Sequence, residues 1–223
     1  MNHQILFDQE LKELKAAILK MGDLVQSLIA RSVEALAGRN KDLAKSVIKD
    51  DVEVDKMELE IDDRCISLIA IRQPKAVDLR TIMTGMRIST DLERIGDLAE
   101  NIAERAIELA EQGLLNPLID IPEMARLAQA AVKDVLEAFV GSDADKAAAV
   151  WDKEKQIDKL RDTVHDELLE IMEKDARTVP KAIPLLLVSR HLERIADHVT
   201  NIAEDDIYMV KGKVVKHGGG EKN

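Results

Sequence analysis

The sequence predicts an all-α protein built from two tandem three-helix bundles related by pseudo-twofold symmetry. Three observations predict it. Aromatic residues make up 2% of the 223-residue chain, and its ten glycines and five prolines leave long uninterrupted stretches of Ala, Leu, Ile, Glu, Lys, Asp and Arg. Such a composition favours helices over strands. Apolar residues recur at three- and four-residue spacing through most of the chain. The second half of the chain also repeats the first.

Leu11, Leu14, Ile18, Met21, Val25, Leu28, Ile29, Val33 and Leu36 form the apolar seam of a first helix, which Gly38 ends. Arg39-Asn40-Lys41 reads as a short turn. A second helix runs from about Asp42 to Ile71 on the seam Val47, Val54, Met57, Ile61, Cys65 and Leu68, and Gln73-Pro74 breaks it. A third runs from about Val77 to Glu111, closed by Gly113, with Asn116-Pro117 starting a linker. A fourth spans about Pro122 to Val140 and ends at Gly141. A fifth spans about Ala144 to Asp175, and a sixth about Pro180 to Met209. Residues 1–115 thus form one repeat and 116–210 the other. The Gly-rich polar segment 211–223 reads as a mobile tail.

The repeat is explicit residue by residue. Gln26 matches Gln129, Glu34 matches Glu137, Gly38 matches Gly141 and Asp55-Lys56 matches Asp158-Lys159, all 103 positions apart. In the last helix of each unit the separation is 100, and LERIGDLAENIAERAI from Leu92 faces LERIADHVTNIAEDDI from Leu192. Ten of those sixteen positions are identical. The change of offset places a three-residue deletion around Thr178 to Pro184.

Composition narrows the function classes. The formal charge is −11, from 43 acids against 32 bases, and no basic stripe with interleaved aromatics occurs. That pattern points away from direct nucleic-acid binding, which needs clustered Lys and Arg to neutralise phosphates. Cys65 is the single cysteine, so neither an internal disulfide nor a multi-thiolate zinc site is available. It reads as a small buried residue on a helix. The N-terminus lacks the charged start and apolar run of a signal peptide, and the most apolar stretch, Ala182 to Ser189, is too short to span a bilayer. A cytoplasmic protein is expected, meeting membranes only through partners.

Glu93, Asp97, Asn101 and Glu104 are spaced i, i+4, i+8 and i+11, a narrow stripe on one helix. Glu193, Asp197, Asn201 and Glu204 repeat it in the second unit. Like charges one turn apart repel by roughly 0.2–0.5 kcal/mol per exposed pair, and a bound cation removes that cost. Carboxylate and amide oxygens suit Mg²⁺, Mn²⁺, Ca²⁺ or iron. The preceding helices offer further acids: Asp55, Glu58 and Asp62 in the first unit, and Asp158, Asp162 and Asp166 in the second. If antiparallel packing joins the stripes, several carboxylates converge in each unit. Arg94 and Arg194 are expected to pair with carboxylates of a neighbouring helix and limit the repulsion. Ser89 and Ser189 are expected to bond back to their own helices. His198 could admit zinc or iron but points elsewhere around its helix.

LERIGDLAENIAERA and LERIADHVTNIAED, together with RQPKAVDLRTI and the ending IYMVKGKVVKH, resemble the PhoU family of bacterial phosphate-transport and phosphate-signalling regulators. The resemblance covers nearly the whole chain. It implies two three-helix bundles holding iron, zinc, magnesium or manganese at the faces from Glu93 to Asp97 and from Glu193 to Asp197. It further implies a negative regulator whose partners are a phosphate ABC transporter ATPase and a sensor histidine kinase, with a homodimer as the candidate assembly. Val179 to Pro184 departs from the family's Pro-Ala-x-Asp-Leu-Arg stretch.

Two other classes compete. A metal-free scaffold would leave both stripes solvated or set against basic partners. A carboxylate-bridged di-metal enzyme would use Glu-x-x-His pairs. None occurs, and Asp162-Thr163-Val164-His165 is the nearest approach. No nucleophile–base pair or phosphate-cradling loop is evident either, so no enzymatic turnover is expected.

Overall fold

A computed structural model of the chain describes residues 2–112, 115, 120–216 and 220–221. The closure at Gly113 and the linker start at Asn116-Pro117 lie outside the described residues. The first set of helices is α1 (Asn2–Gly38), α2 (Lys41–Arg72) and α3 (Val77–Leu109). The second is α4 (Asp120–Gly141), α5 (Ala144–Ala148), α6 (Trp151–Lys174) and α7 (Val179–Lys211). A 3₁₀ turn, Ala176–Thr178, joins α6 to α7. Past α7, strand β1 (Val215–Lys216) pairs antiparallel with β2 (Gly220–Glu221), and Val215 packs on the core.

The repeat extends to the local chemistry of the turns. Asn40 caps α2 by accepting a hydrogen bond from the Leu43 amide, and Asp143 caps α5 from the Asp145 and Lys146 amides. The residues before them, Arg39 and Ser142, both take left-handed backbone angles, with φ of 51° and 53°. In each unit the capping residue's own amide donates back, Asn40 to the Ala35 carbonyl and Asp143 to that of Ala138, both at 2.9 Å. The left-handed residue thus follows the glycine that ends each helix.

The fifth helix expected from the sequence is two helices. The Ala149 amide bonds the carbonyls of Asp145 and Lys146, and the Val150 amide bonds that of Ala147, so the chain tightens into a 3₁₀ turn between α5 and α6. No glycine or proline marks the break. It lets Val150 reach the core at 1% exposure.

Within the first set each helix packs on the other two, and α4 packs on α5, α6 and α7 in the second. Two seams join the sets. Along α1 and α4, Lys15 Nζ donates to the Val140 carbonyl at 3.0 Å, and a side chain at Gly22 would clash with Leu136. Glycine there lets the two helices approach closely. Along α3 and α7, contacts run from Arg80–Met209 through Thr84–Asp205 and Arg87–Asp205 to Asp91–His198. Numbers rise on one helix as they fall on the other, so the helices are antiparallel. Among the described residues no helix is long and apolar enough to cross a membrane.

Phe139 is fully buried, with the Lys15 ammonium 5.4 Å from its ring centroid. Phe139→Ala is expected to cost about 3–5 kcal/mol, measured as a lower urea midpoint. A loss below about 1 kcal/mol would show that the α1–α4 seam does not depend on it. Asp206 is 1% exposed and neither of its carboxyl oxygens has a hydrogen-bond partner. Burial, and then the charge of Asp205, hold its carboxyl well above the usual range, with Lys15 opposing. A carboxyl raised in the folded state adds stability in acid, and that contribution is lost as pH rises through the folded value. Asp206→Asn is therefore expected to raise the melting temperature at pH 8, with the gain shrinking towards pH 5. An equal loss at both values would contradict this account.

Candidate metal centre

The site is built where α2 and α3 lie antiparallel. Ser89 Oγ lies 3.4 Å from Asp62 Oδ1, and Thr90 Oγ1 donates to Glu58 Oε1 at 3.0 Å. Further along α3, Gly96 meets Asp51 and Val54. The expected convergence of the two acidic stripes is present in this unit.

Its centre is a triad that only partly matches the sequence expectation. Asp51, Asp55 and Asp97 each place a carboxylate oxygen within 4.8 Å of the others. Asp51 was not anticipated. It is 5% exposed, and its Oδ1 has no hydrogen-bond partner. Gly96 makes room for it: a Cβ at that position would lie 2.5 Å from Asp51 Oδ1.

The electrostatics are those of crowded anions with one cation, Arg94, among them. Burial pushes the Asp51 carboxyl up to about 7, and the charges of Glu100, Asp55, Asp97 and Glu93 push the same way. Glu93 is raised by burial and then by Asp97, against the opposing charge of Arg94. Glu100, also absent from the sequence expectation, is raised by burial, Glu104, Asp97 and Asp55. The resident cation is Arg94, 3.3 Å from Glu93 Oε2 and 3.2 Å from Asp97 Oδ2. It pairs within its own helix and not with a neighbouring one, because one helical turn already brings those acids within reach.

Other anticipated ligands lie at or beyond the edge. Glu58 is close enough to Glu93 to raise it, and it accepts the Thr90 hydroxyl. Asp62 lies further along α2, facing Ser89. Asn101 donates its amide to the Asp97 carbonyl of its own helix at 2.7 Å. Ser89 and Ser189 bond back to the carbonyls of Met86 and Leu186, as expected.

The second unit is arranged differently. Glu193 is raised by burial and by Asp197 and Asp158, but Arg161 and Arg190 pull it down. Arg161 stands at the position of Glu58 and lies 3.4 Å from Asp162. Asp162 is largely exposed. Asn201 lines the groove between α3 and α7 with Arg87, Thr90, Asp91, Glu204 and Asp205. His198 Nδ1 lies 2.8 Å from Asp91 Oδ1 in the same seam. Among the described residues, no three-acid group like that of the first unit forms here.

Asp51 had a signal in the sequence. It falls between Val47 and Val54 on the apolar seam of α2, a polar residue at a core position. Gly96 had one too, as the residue that differs from Ala196 inside an otherwise matched LERI-x-D segment. Glu100 had one as well, since its spacing of i+7 from Glu93 and i+3 from Asp97 puts it on the same helix face.

Comparison with known proteins places this geometry in a family. The PhoU domain model matches the chain twice, over residues 18–106 and 121–205. The phosphate-specific transport system accessory protein PhoU homolog of Aquifex aeolicus is 44% identical over 209 residues, covering 94% of this chain and 95% of the relative. The Escherichia coli K12 protein, the phosphate-specific transport system accessory protein PhoU, is 35% identical over 216 residues, covering 97% and 90%. The crystal structure of PhoU from Pseudomonas aeruginosa superposes with a TM-score of 0.88 at 37% identity, covering 92% of this chain and 99% of that one. That of the phosphate transport system regulatory protein PhoU from Streptococcus pneumoniae gives 0.88 at 31% identity, covering 94% and 99%. With two matched domains, relatives of this identity and a shared fold, the chain belongs to the PhoU family.

Proposed function

We propose that this protein is a metal-binding negative regulator of phosphate uptake and phosphate-starvation signalling. It acts in the cytoplasm as an adaptor between a phosphate ABC transporter and a sensor histidine kinase, without catalytic turnover. The family membership supports the phosphate role, since the curated relatives are named as accessory proteins of the phosphate-specific transport system. The metal reading rests on one observation above others, the buried Asp51 oxygen without a partner beside Asp55 and Asp97. A buried carboxylate left unpaired is expensive, and cations are its usual remedy.

Asp51, Asp55 and Asp97 would hold the ion, with Glu93 and Glu100 as further oxygen donors and Glu58 at the margin. This donor set suits magnesium, manganese or iron and admits zinc. The ion would supply the positive charge that lets five neighbouring carboxylates ionise together. The chain's own part is to present them on two facing helices and to keep Gly96 small.

Protein purified without chelator and exposed to Mn²⁺, Fe²⁺ or Zn²⁺ is expected to retain metal and melt at a higher temperature. Asp55→Ala with Asp97→Ala is expected to lower metal content. Unchanged content in that variant would remove the assignment of this face. For the regulatory role, a deletion strain is expected to express phosphate-starvation genes in high phosphate, and normal repression there would count against it.

A further inference from the structure

The two units share a fold and an acidic motif, yet their faces are chemically unequal. Three positions set the faces apart in charge, space and donors, and Arg190 in place of Thr90 adds a fourth. On the helix preceding each motif helix, Glu58 of the first unit is matched by Arg161 of the second. On the motif helix itself, Gly96 is matched by Ala196 and Glu100 by Thr200. Each change removes something a cation needs.

The charge changes first. In the first unit Asp51, Asp55, Glu58, Glu93, Asp97 and Glu100 lie close enough to act on one another, with Arg94 paired to Glu93 and Asp97. In the second, the corresponding acids are Glu154, Asp158, Glu193 and Asp197, and both Arg161 and Arg190 act on Glu193. Arg190 itself stands where the first unit has Thr90. Arg161 is two-thirds covered, with its Nε buried and without a hydrogen-bond partner. A guanidinium beside these acids serves as their counter-ion. Its like-charge repulsion opposes an incoming cation at the same face.

The space and the donors change with it. Ala196 is 1% exposed. Its Cβ occupies the position that in the first unit must stay vacant for the Asp51 carboxylate to seat against α3. Thr200 is buried and spends its hydroxyl on the Asp197 carbonyl at 2.7 Å, where the first unit presents Glu100. The second face therefore lacks a negative charge, a cradle and a donor.

We infer that Arg161 stands in place of a metal ion in the second unit, so that this protein loads metal at the first face alone. This rests on the metal reading proposed above. It assigns the second face a fixed internal charge, independent of metal supply, while the first face responds to it. Only one half of the molecule is then sensitive to metal availability.

The test is the metal content of the full chain after equilibration with Mn²⁺ or Fe²⁺ and gel filtration. Asp55→Ala with Asp97→Ala is expected to abolish retention, and Asp158→Ala with Asp197→Ala to leave it unchanged. Equal, half-sized losses from the two pairs would overturn the inference while preserving the metal reading. No retention by the wild-type chain would overturn both. A gain-of-site variant, Arg161→Glu with Thr200→Glu, is expected to melt below wild type when metal-free and to recover more than wild type on adding Mn²⁺. If that variant does not fold, the Asp158/Asp197 pair still decides. A wild-type-sized thermal response from a folded gain-of-site variant would also count against the inference.

Discussion

The antiparallel contact between α3 and α7 is the constraint on which the architecture depends. Each of these helices carries its unit's LERI segment, and each must serve two neighbours at once. α3 packs on α1 and α2 on one side and on α7 on the other, while α7 does the same for α4, α5 and α6. The seam is pinned by polar bonds along its length, from Arg80 on the Met209 carbonyl to Asp91 beside His198. Just past Asp91 and His198, Leu92, Ile95, Leu192 and Ile195 are fully buried. Burial of such side chains contributes roughly 1.5–3 kcal/mol apiece. The directional bonds add less energy but fix which residues stand opposite. Once the seam is set, the outer face of α3 is committed to α2, and the acidic stripe has a fixed partner.

That commitment explains why a destabilising arrangement persists. Asp51 is a carboxylate at a core position, surrounded by anions, with an orphaned oxygen. A residue of this kind lowers the stability of the bare protein, because its neutral form is favoured only while pH stays below its raised value. The surrounding fold tolerates it because the apolar seams on α1, α3 and α4 supply an ample core. Local strain held by a stable scaffold is a usual mark of a binding site. Gly96 makes the same point from the backbone side. An alanine there would favour the helix by about 1 kcal/mol, yet glycine is present, and the gap it leaves is filled by Asp51 Oδ1.

The sequence made the helices and the doubling legible because both rest on periodic patterns. Apolar spacing placed α2 to α4 within a few residues and the end of α1 at Gly38, although α1 begins at Asn2, well before the seam that starts at Leu11, and the matched turns at Asn40 and Asp143 followed from the 103-residue offset. The break between α5 and α6 was not legible, since a 3₁₀ tightening among alanines leaves no glycine or proline behind. Half of the site followed from the i, i+4 stripe: Glu93 and Asp97 are where the helix period puts them, facing Asp55 across α2. Asp51 stands out in the sequence as a polar residue on an apolar seam and Glu100 as a further acid on the stripe's face, but that the two come together is set by which helix lies opposite, a tertiary fact. Asn201 shows the converse. Its spacing matched a ligand stripe, but the stripe wraps around the helix, and at Asn201 it has turned into the groove towards α3.

The same reasoning shows how a repeat can diverge without losing its fold. Positions that pack between helices are held in both units: Leu92 and Leu192, Ile95 and Ile195, Ile102 and Ile202 are all buried. Positions that face the acidic cleft differ in charge between the units, as Glu58 and Arg161 do. Exchanging Glu58 for Arg161 leaves helix propensity nearly unchanged, but it reverses the sign of one charge in a face where acids predominate. Exchanging Gly96 for Ala196 strengthens the helix and closes the cradle. Both steps move the second unit towards a self-neutralised, more rigid state, and neither disturbs the α3–α7 seam. A duplicated bundle can in this way keep one face crowded with acids beside another that carries its own guanidinium charges, with the packing between its helices retained.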